Sequence, residues 1–402
     1  MIIGAGPAGS VAAALLAQRG RAVEVVERQH FPRFSIGESL LPQSMAFLAE
    51  AGLVDTVNAV GFQCKDGAAF HWNGVNTAIY FPDKSTEGPG TTFQVRREIF
   101  DLTLANGATK KGANISFGEE VIAFESDENG AAVTVRNEAG TTRRIEAKFA
   151  LDASGFGRVL SRMLKLERPS DFPPRRAVFC HVRDHITEPT LDRNKILITV
   201  HPTNSEIWYW LIPLADGLSS IGVVGPDDAI EAAGSNDHER LWNLTNEVEY
   251  LELVLRNAEV VRPASMIGGY ACRVKSLVGP SYALLGNAAE FLDPVFSSGV
   301  TIAMKSAVLA TDLIERTFNG EPADWDRDFV RELSVGIETF RACVEAWYSG
   351  RLQRIIFNRP EVLNDATKML TAVLAGYAWD RQNAIVREPQ RFLRLLDELS
   401  TP

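Results

Sequence analysis

Two rhythms of apolar and polar positions run along this chain. A short apolar stub, Met1-Ile2-Ile3, enters Gly4-Ala5-Gly6-Pro7-Ala8-Gly9, and small apolar residues continue to about Arg19. The pattern predicts a strand, a glycine turn and a helix from about Pro7 to Arg19. A second apolar run, Ala22-Val23-Glu24-Val25-Val26, ends at Glu27 and predicts another strand. Residues 66–81 read as a hairpin turning at Asn73-Gly74, and residues 119–147 as a meander turning at Asn129-Gly130. Val95 to Asp101 opens a helix, Phe149 to Gly155 is a strand ending in a turn, and Tyr282 to Phe291 is a strand running into a polar turn. Several strands are expected within residues 176–225 and helix within 236–257. Helices follow from Ser297 almost to the C-terminus.

This order predicts an α/β fold with an α+β insertion. A Rossmann-like, dinucleotide-binding domain is expected from residues 1–65, 91–170 and 275–320. An antiparallel β-sheet domain for substrate, residues 66–90 and 171–274, would be inserted into it. Residues 321–402 would form a helical C-terminal region. Pro169 to Pro174 marks the clearest crossing between the first two.

Composition narrows the function classes. With 46% apolar and 23% charged residues, the 402-residue chain can bury a large core. Its 41 basic and 51 acidic residues leave a net charge of −10, which disfavours nucleic acid as a partner. Cys64, Cys180, Cys272 and Cys343 are far apart, with no zinc spacing and no CxxC pair, so a reducing cytoplasm is expected. No run approaches the roughly 18 apolar residues of a membrane span. The apolar N-terminus lacks a basic leader, so a secretion signal is not expected. His181 and His185 stand four apart in a predicted strand without companion ligands, and no metal site is expected. No GxSxG nucleophile elbow occurs.

The first turn carries the strongest local signal. In a GxGxxG, Gly4 permits the tight turn, Gly6 lets a pyrophosphate approach the backbone, and Gly9 lets helix and strand pack closely. Pro7 and Ala8 start a helix whose N-terminal amides offer partial positive charge. Glu27, beside Arg28, is placed to accept a hydrogen bond from a ribose hydroxyl. A dinucleotide is therefore expected here. The alternative is a glycine turn that serves helix packing alone. The first strand is short for a central one.

Later segments indicate which dinucleotide. Arg97 is a candidate for a phosphate or ribose. Asp152 stands in a strand-to-turn segment, and Gly286-Asn287-Ala288-Ala289-Glu290-Phe291 follows a strand. The last segment resembles that by which FAD monooxygenases of the p-hydroxybenzoate hydroxylase fold hold their cofactor, although they usually carry Asp where this chain has Asn287. FAD is the cofactor this resemblance implies. Three further patterns stand out. Trp208-Tyr209-Trp210-Leu211-Ile212-Pro213 is a WxWxIP that puts both tryptophans on one strand face. Taken alone, such a stripe is more often core than function. Phe291-Leu292-Asp293-Pro294-Val295-Phe296-Ser297-Ser298-Gly299 is an FxxPxxSxG leading to Val300, where a helix start could face a small anion or simply be capped by Ser297 or Ser298. Lys65 stands in Lys65-Asp66-Gly67-Ala68-Ala69-Phe70-His71-Trp72, a KxGxxFxW. Alone it would read as a surface charge.

Together the three resemble the flavin-dependent halogenases, the group of the tryptophan halogenases and of halogenases acting on phenols or carrier-tethered pyrroles. The resemblance implies an enzyme that uses reduced FAD, oxygen and chloride or bromide to halogenate an electron-rich aromatic. It implies FAD contacts at Gly4, Gly6, Pro7, Ala8, Gly9, Glu27, Arg28, Arg97, Asp152, Gly286, Asn287, Pro294, Gly299 and Val300, and a halide site at Ser297, Ser298, Gly299 and Val300. Trp208 and Trp210 would be barriers that keep substrate from the flavin. Lys65 would receive hypohalous acid, either polarising it or forming a haloamine. No second GxGxxG is present, so NADPH need not bind stably, and the resemblance implies that a separate flavin reductase supplies reduced FAD. Two alternatives stay open: an FAD-dependent aromatic monooxygenase, or a repurposed non-halogenating homologue in a pigment pathway. Glu290, an anionic group near the expected halide region, favours the second unless it points away. The chain is short beside tryptophan halogenases, which moves the expected substrate toward a phenol or pyrrole, free or tethered to a carrier protein. Arg351, Arg354 and Arg359 form a basic cluster that would face an acidic carrier, or simply solvent.

Overall fold

The computed structural model describes residues 1–358 and 364–400. Helices used below are α1 (Pro7–Gln18), α2 (Arg97–Lys110), α3 (Ser298–Phe318), α4 (Glu332–Tyr348) and α5 (Asp365–Leu374).

A six-stranded sheet forms around a strand of only two residues. Ile2–Ile3 lies between Ala150–Asp152 and Glu24–Glu27, parallel to both. Asn114–Phe117 and Tyr282–Leu284 extend the sheet in parallel, and Val278–Gly279 closes one edge antiparallel. Two residues suffice for the central strand because both isoleucines are buried and the ladder continues beyond them, with Gly4 N–H donating to Val26 O at 2.8 Å. Helix α1 can lie close against this sheet because its inward residues are small: Ala12, Ala13 and Ala14 are fully buried. The predicted meander forms as Glu119–Asp127, Gly130–Asn137 and Thr142–Ala147, and Gly67–Trp72 with Val75–Tyr80 forms the predicted hairpin.

That hairpin joins a seven-stranded sheet ordered Glu259–Gly268, Arg175–Arg183, Leu218–Pro226, Trp208–Pro213, Lys195–Val200, Gly67–Trp72, Val75–Tyr80. The inserted sheet differs from the antiparallel expectation at one junction, where Lys195–Val200 runs parallel to Gly67–Trp72. The strand Trp208–Pro213 is buried on both faces, which explains its unbroken apolar run. Its even positions, Trp208, Trp210 and Ile212, join the main core with Phe179, Ile196 and Ile198. Its odd positions, Tyr209 and Leu211, join a second core with Val178, Cys180 and Leu197, covered by the helices Asp237–Asn246 and Glu249–Leu255. His181 lies in the strand Arg175–Arg183, whereas His185 lies beyond it, so the pair does not share a strand face. Among the described residues, no helix is long and apolar enough to cross a membrane, and no cluster of His, Cys, Asp or Glu has the arrangement of a metal site.

Candidate functional site

A cavity of about 650 Å³ lies between the two sheets. Of the residues singled out in the sequence, Gly4, Gly6, Pro7, Ala8, Glu27, Arg28, Arg97, Asn287, Pro294, Ser297, Ser298, Gly299, Val300, Trp208 and Trp210 line it. Gly9 and Gly286 lie behind the wall. A Cβ on Gly9 would stand 1.9 Å from Gly4 O, and one on Gly286 would stand 2.7 Å from Ala303 Cβ. Both positions serve close packing. Asp152 also lies behind the wall. Its carboxylate accepts the Ser154 N–H at 3.0 Å and the Leu160 N–H at 2.7 Å, shaping the turn that brings Ala153, Ser154 and Gly155 to the cavity. Full burial pushes its pKa up, and those amides oppose the rise.

At one end the cavity has the character of a dinucleotide cradle. A Cβ on Gly6 would meet only Arg33 Nη2, at 3.6 Å, so Gly6 presents bare backbone to the space. The N-terminus of α1 has no side-chain cap. Glu27 accepts the Ala5 and Gln29 N–H groups, both at 2.9 Å, which fixes its carboxylate at the cavity edge. Arg97 donates to Ile36 O at 2.7 Å and is gripped by Asp101 through Nε and Nη2. Arg33 donates to the same Asp101 at 2.9 Å. The sequence reading missed Arg33, which lies in a loop with no periodic signal. Its Nη2 would stand 3.6 Å from a Cβ on Gly6, beside the bare backbone where a phosphate needs a cation. Anion-seeking amides, two arginines and an acid on the neighbouring strand fit the phosphates and ribose of FAD.

The other end is built by the strand Trp208–Pro213 and the start of α3. Trp208 is 1% exposed. Its indole N–H donates to Tyr348 Oη at 3.0 Å, and that hydroxyl donates to Asp293 Oδ2 at 2.9 Å. The Trp210 indole donates to Ser220 Oγ at 3.1 Å. Neither Ser297 nor Ser298 caps α3. Ser297 occupies the left-handed region at φ 55°, and no side chain bonds the first amides of the helix. The capping alternative therefore does not form, which leaves these amides open at the cavity wall. Asn287 stands over this helix start, its Oδ1 3.7 Å from where a Gly299 Cβ would be. Glu290 turns away. It pairs with Arg341, with Arg273 a further 3.6 Å contact, and it does not line the cavity.

Lys65 is the largest departure from ordinary lysine behaviour. It is 1% exposed and donates to Ser39 Oγ at 2.7 Å and Leu40 O at 2.8 Å, with the Phe81 ring 5.3 Å away. Burial lowers its pKa to about 7. It faces a void of about 20 Å³ lined also by Phe70, Phe81, Phe296, Ser297 and Leu374. Ser297 and Ile196 line both this void and the large cavity, and Ser39 lines the cavity while holding the lysine. One more buried pair went unforeseen. Glu38, on the cavity wall, meets His181 Nε2 at 2.9 Å. Asp397 engages Arg354 at 2.7 and 2.8 Å and Arg351 at 3.7 Å, so both guanidinium groups are ion-paired within the chain while Arg354 stays exposed. Arg359 lies outside the described residues.

The FAD binding domain family matches residues 1–229. Over 352 residues the chain is 31% identical to a 1H-pyrrole-2-carbonyl-[peptidyl-carrier protein] chlorinase of Pseudomonas fluorescens, covering 80% of this chain and 76% of that protein. It is 29% identical over 334 residues to the corresponding brominase of Pseudoalteromonas luteoviolacea, covering 82% and 79%. Among solved structures it resembles a flavoprotein/dehydrogenase from Cytophaga hutchinsonii, with TM-score 0.95 and 38% identity over 99% of this chain and 97% of that one. It also resembles the myxobacterial chondrochloren halogenase, with TM-score 0.77 and 27% identity over 99% and 95%.

Proposed function

The chain belongs to the flavin-dependent halogenases, enzymes built on an FAD binding domain, and from that membership we propose that it halogenates a phenol or pyrrole with chloride or bromide. In this reading residues 1–65, 91–170 and 275–320 bind the cofactor, residues 66–90 and 171–274 carry the substrate sheet, and residues 321–402 brace both. When bound, reduced FAD supplies two electrons which, with oxygen, give the oxidising power that makes halide electrophilic. A separate reductase delivers it. Overall, the ring exchanges one hydrogen for halogen, and both oxygen atoms leave as water.

The protein's own groups do the placing. Arg33 and Arg97 meet the phosphates while Glu27 holds a ribose. The open amides from Ser298 to Val300 hold the halide, beside Ser297 on the cavity wall. Trp208 and Trp210 keep the organic ring out of the cofactor's space. At Lys65, two N–H bonds are spent on Ser39 and Leu40, which leaves the third to polarise the oxygen of hypohalous acid in the void. The lysine therefore acts as a proton-bearing donor, and water leaves as halogen passes to the ring. The observation that carries this reading is a desolvated ammonium separated by Ser297 and Ile196 from the cavity with the open helix start. The void is too small for an aromatic ring, so Phe81, Phe296 and Leu374 must part to admit one.

The direct test supplies reduced FAD, oxygen, chloride or bromide, and a panel of phenols and pyrroles, free and carrier-tethered. Halide-dependent products are expected. Oxygen incorporation without a halide requirement would replace the reading with hydroxylation, and failure to retain FAD would replace it with a repurposed homologue.

The pH profile tests the lysine's role. With the folded-state pKa near 7, the donor form predominates below that value and is lost above it. Single-turnover halogenation should fall as pH rises through about 7 while oxidation of reduced FAD continues. A rise through the same window would identify the neutral amine, and hence a haloamine, as the active form.

A further inference from the structure

A buried indole N–H needs an acceptor, and a tryptophan offers a donor only. On the strand Trp208–Pro213 no neighbour meets that need for Trp208. The acceptor is Tyr348, 140 residues later, at the C-terminal end of α4. The phenol accepts from the indole and donates its own proton to Asp293 Oδ2, while Asp293 Oδ1 accepts the Val295 N–H at 3.0 Å. Asp293 and Val295 form the turn immediately before Ser297. The carboxylate is 5% exposed, and burial raises its pKa to about 6, so it is ionised at neutral pH and acts as acceptor. The guanidinium carbon of Arg175 lies 3.7 Å over the Tyr348 ring and is anchored by Glu206 through two bonds of 3.0 Å. The hydrogen-bond order admits one direction only, from indole to phenol to carboxylate, so the indole has a single satisfied orientation.

We propose that Tyr348 and Asp293 are positioning residues that lock the Trp208 barrier and the Asp293–Ser297 turn in register, so that confinement of the oxidant depends on a helix outside both sheets. Neither side chain is among the residues lining the cavity, so each acts through another group: Tyr348 through the indole, Asp293 through the turn. The inference rests on the reading of Trp208 as a barrier. Without Tyr348 Oη the indole loses its partner and gains freedom to swing, opening the wall to leakage.

The experiment compares Tyr348→Phe, which keeps the ring beneath Arg175, with Asp293→Asn, which keeps the size, and with Trp208→Phe. Indole N–H resonances of the cofactor-free, ¹⁵N-tryptophan-labelled protein report the bond directly. Leakage is the yield of a halogenated soluble 1,3-diketone relative to halogenated substrate, per reduced FAD consumed. In Tyr348→Phe the Trp208 N–H resonance should move and leakage should rise about fivefold, the ratio set by one neutral hydrogen bond. Asp293→Asn should shift both in the same direction, with FAD retained. An unmoved resonance, or a moved resonance with unchanged leakage, overturns the proposal. Leakage in Trp208→Phe but not in Tyr348→Phe overturns it alone, whereas no leakage in Trp208→Phe overturns the barrier reading and this proposal with it.

Discussion

Replacing Lys65 with methionine is expected to stabilise the fold while sharply reducing halogenation. The ammonium is almost fully buried, and its pKa falls from the usual 10.5 to about 7. A lysine whose pKa is lowered on folding costs stability in full below the folded value. The cost shrinks as pH rises toward the unfolded value, because there the unfolded chain binds more protons. At about 1.4 kcal/mol per pKa unit the gross cost below pH 7 is about 5 kcal/mol. The bonds to Ser39 and Leu40 would be lost, returning about 1–2 kcal/mol each. A net gain of about 2 kcal/mol is expected at pH 6.5, declining by pH 9, as read by urea unfolding at both. Halogenation should drop by about a thousandfold, within the range for removal of a positioned proton donor, while reduced FAD is still consumed. Destabilisation at pH 6.5 would show that the buried cation is better compensated than its two bonds imply. Retained halogenation would remove the lysine from the reaction.

The glycine turn gives the second large contrast. In Gly9→Ala the new methyl group would stand 1.9 Å from Gly4 O, a backbone atom that cannot yield without moving the turn. Loss of several kcal/mol and failure to retain FAD are expected together. Gly6→Ala meets only the far end of Arg33, at 3.6 Å, and the backbone φ of −68° suits alanine. Its stability should change by less than about 1 kcal/mol, while FAD affinity falls at least about tenfold, because the methyl group occupies the approach to the amides. Thermal melts of the cofactor-free variants and titration with oxidised FAD separate the two effects. Equal loss of stability in both would mean that the turn is structural at Gly6 as well. Unchanged affinity in Gly6→Ala would place the phosphates elsewhere.

What could be read in advance followed from local spacing. The glycine turn, the Asn73-Gly74 hairpin, the meander and the alternation of Trp208 and Trp210 each depend on residues a few positions apart. Lys65 was legible only through its motif, since a lysine ahead of a strand carries no periodic sign of burial. Its burial comes from the strand pairing of Gln63–Lys65 with Thr92–Gln94 and from Leu40 and Phe81 closing over it. Arg33, Tyr348 and the Glu38–His181 pair were invisible for a different reason. Their partners lie 68, 140 and 143 residues away. Glu290 illustrates the converse. Sequence placed a negative charge beside an expected anion site, and only the fold could supply Arg341 to turn it aside.

Ser297 and Ile196 each line both the large cavity and the void at Lys65. Efforts to retool this catalyst for larger rings will therefore meet an entanglement. In the proposed function, carving room on the lysine side disturbs residues that also wall the cavity where the start of α3 would seat the halide, so altered ring scope and altered preference between chloride and bromide should emerge together in directed evolution.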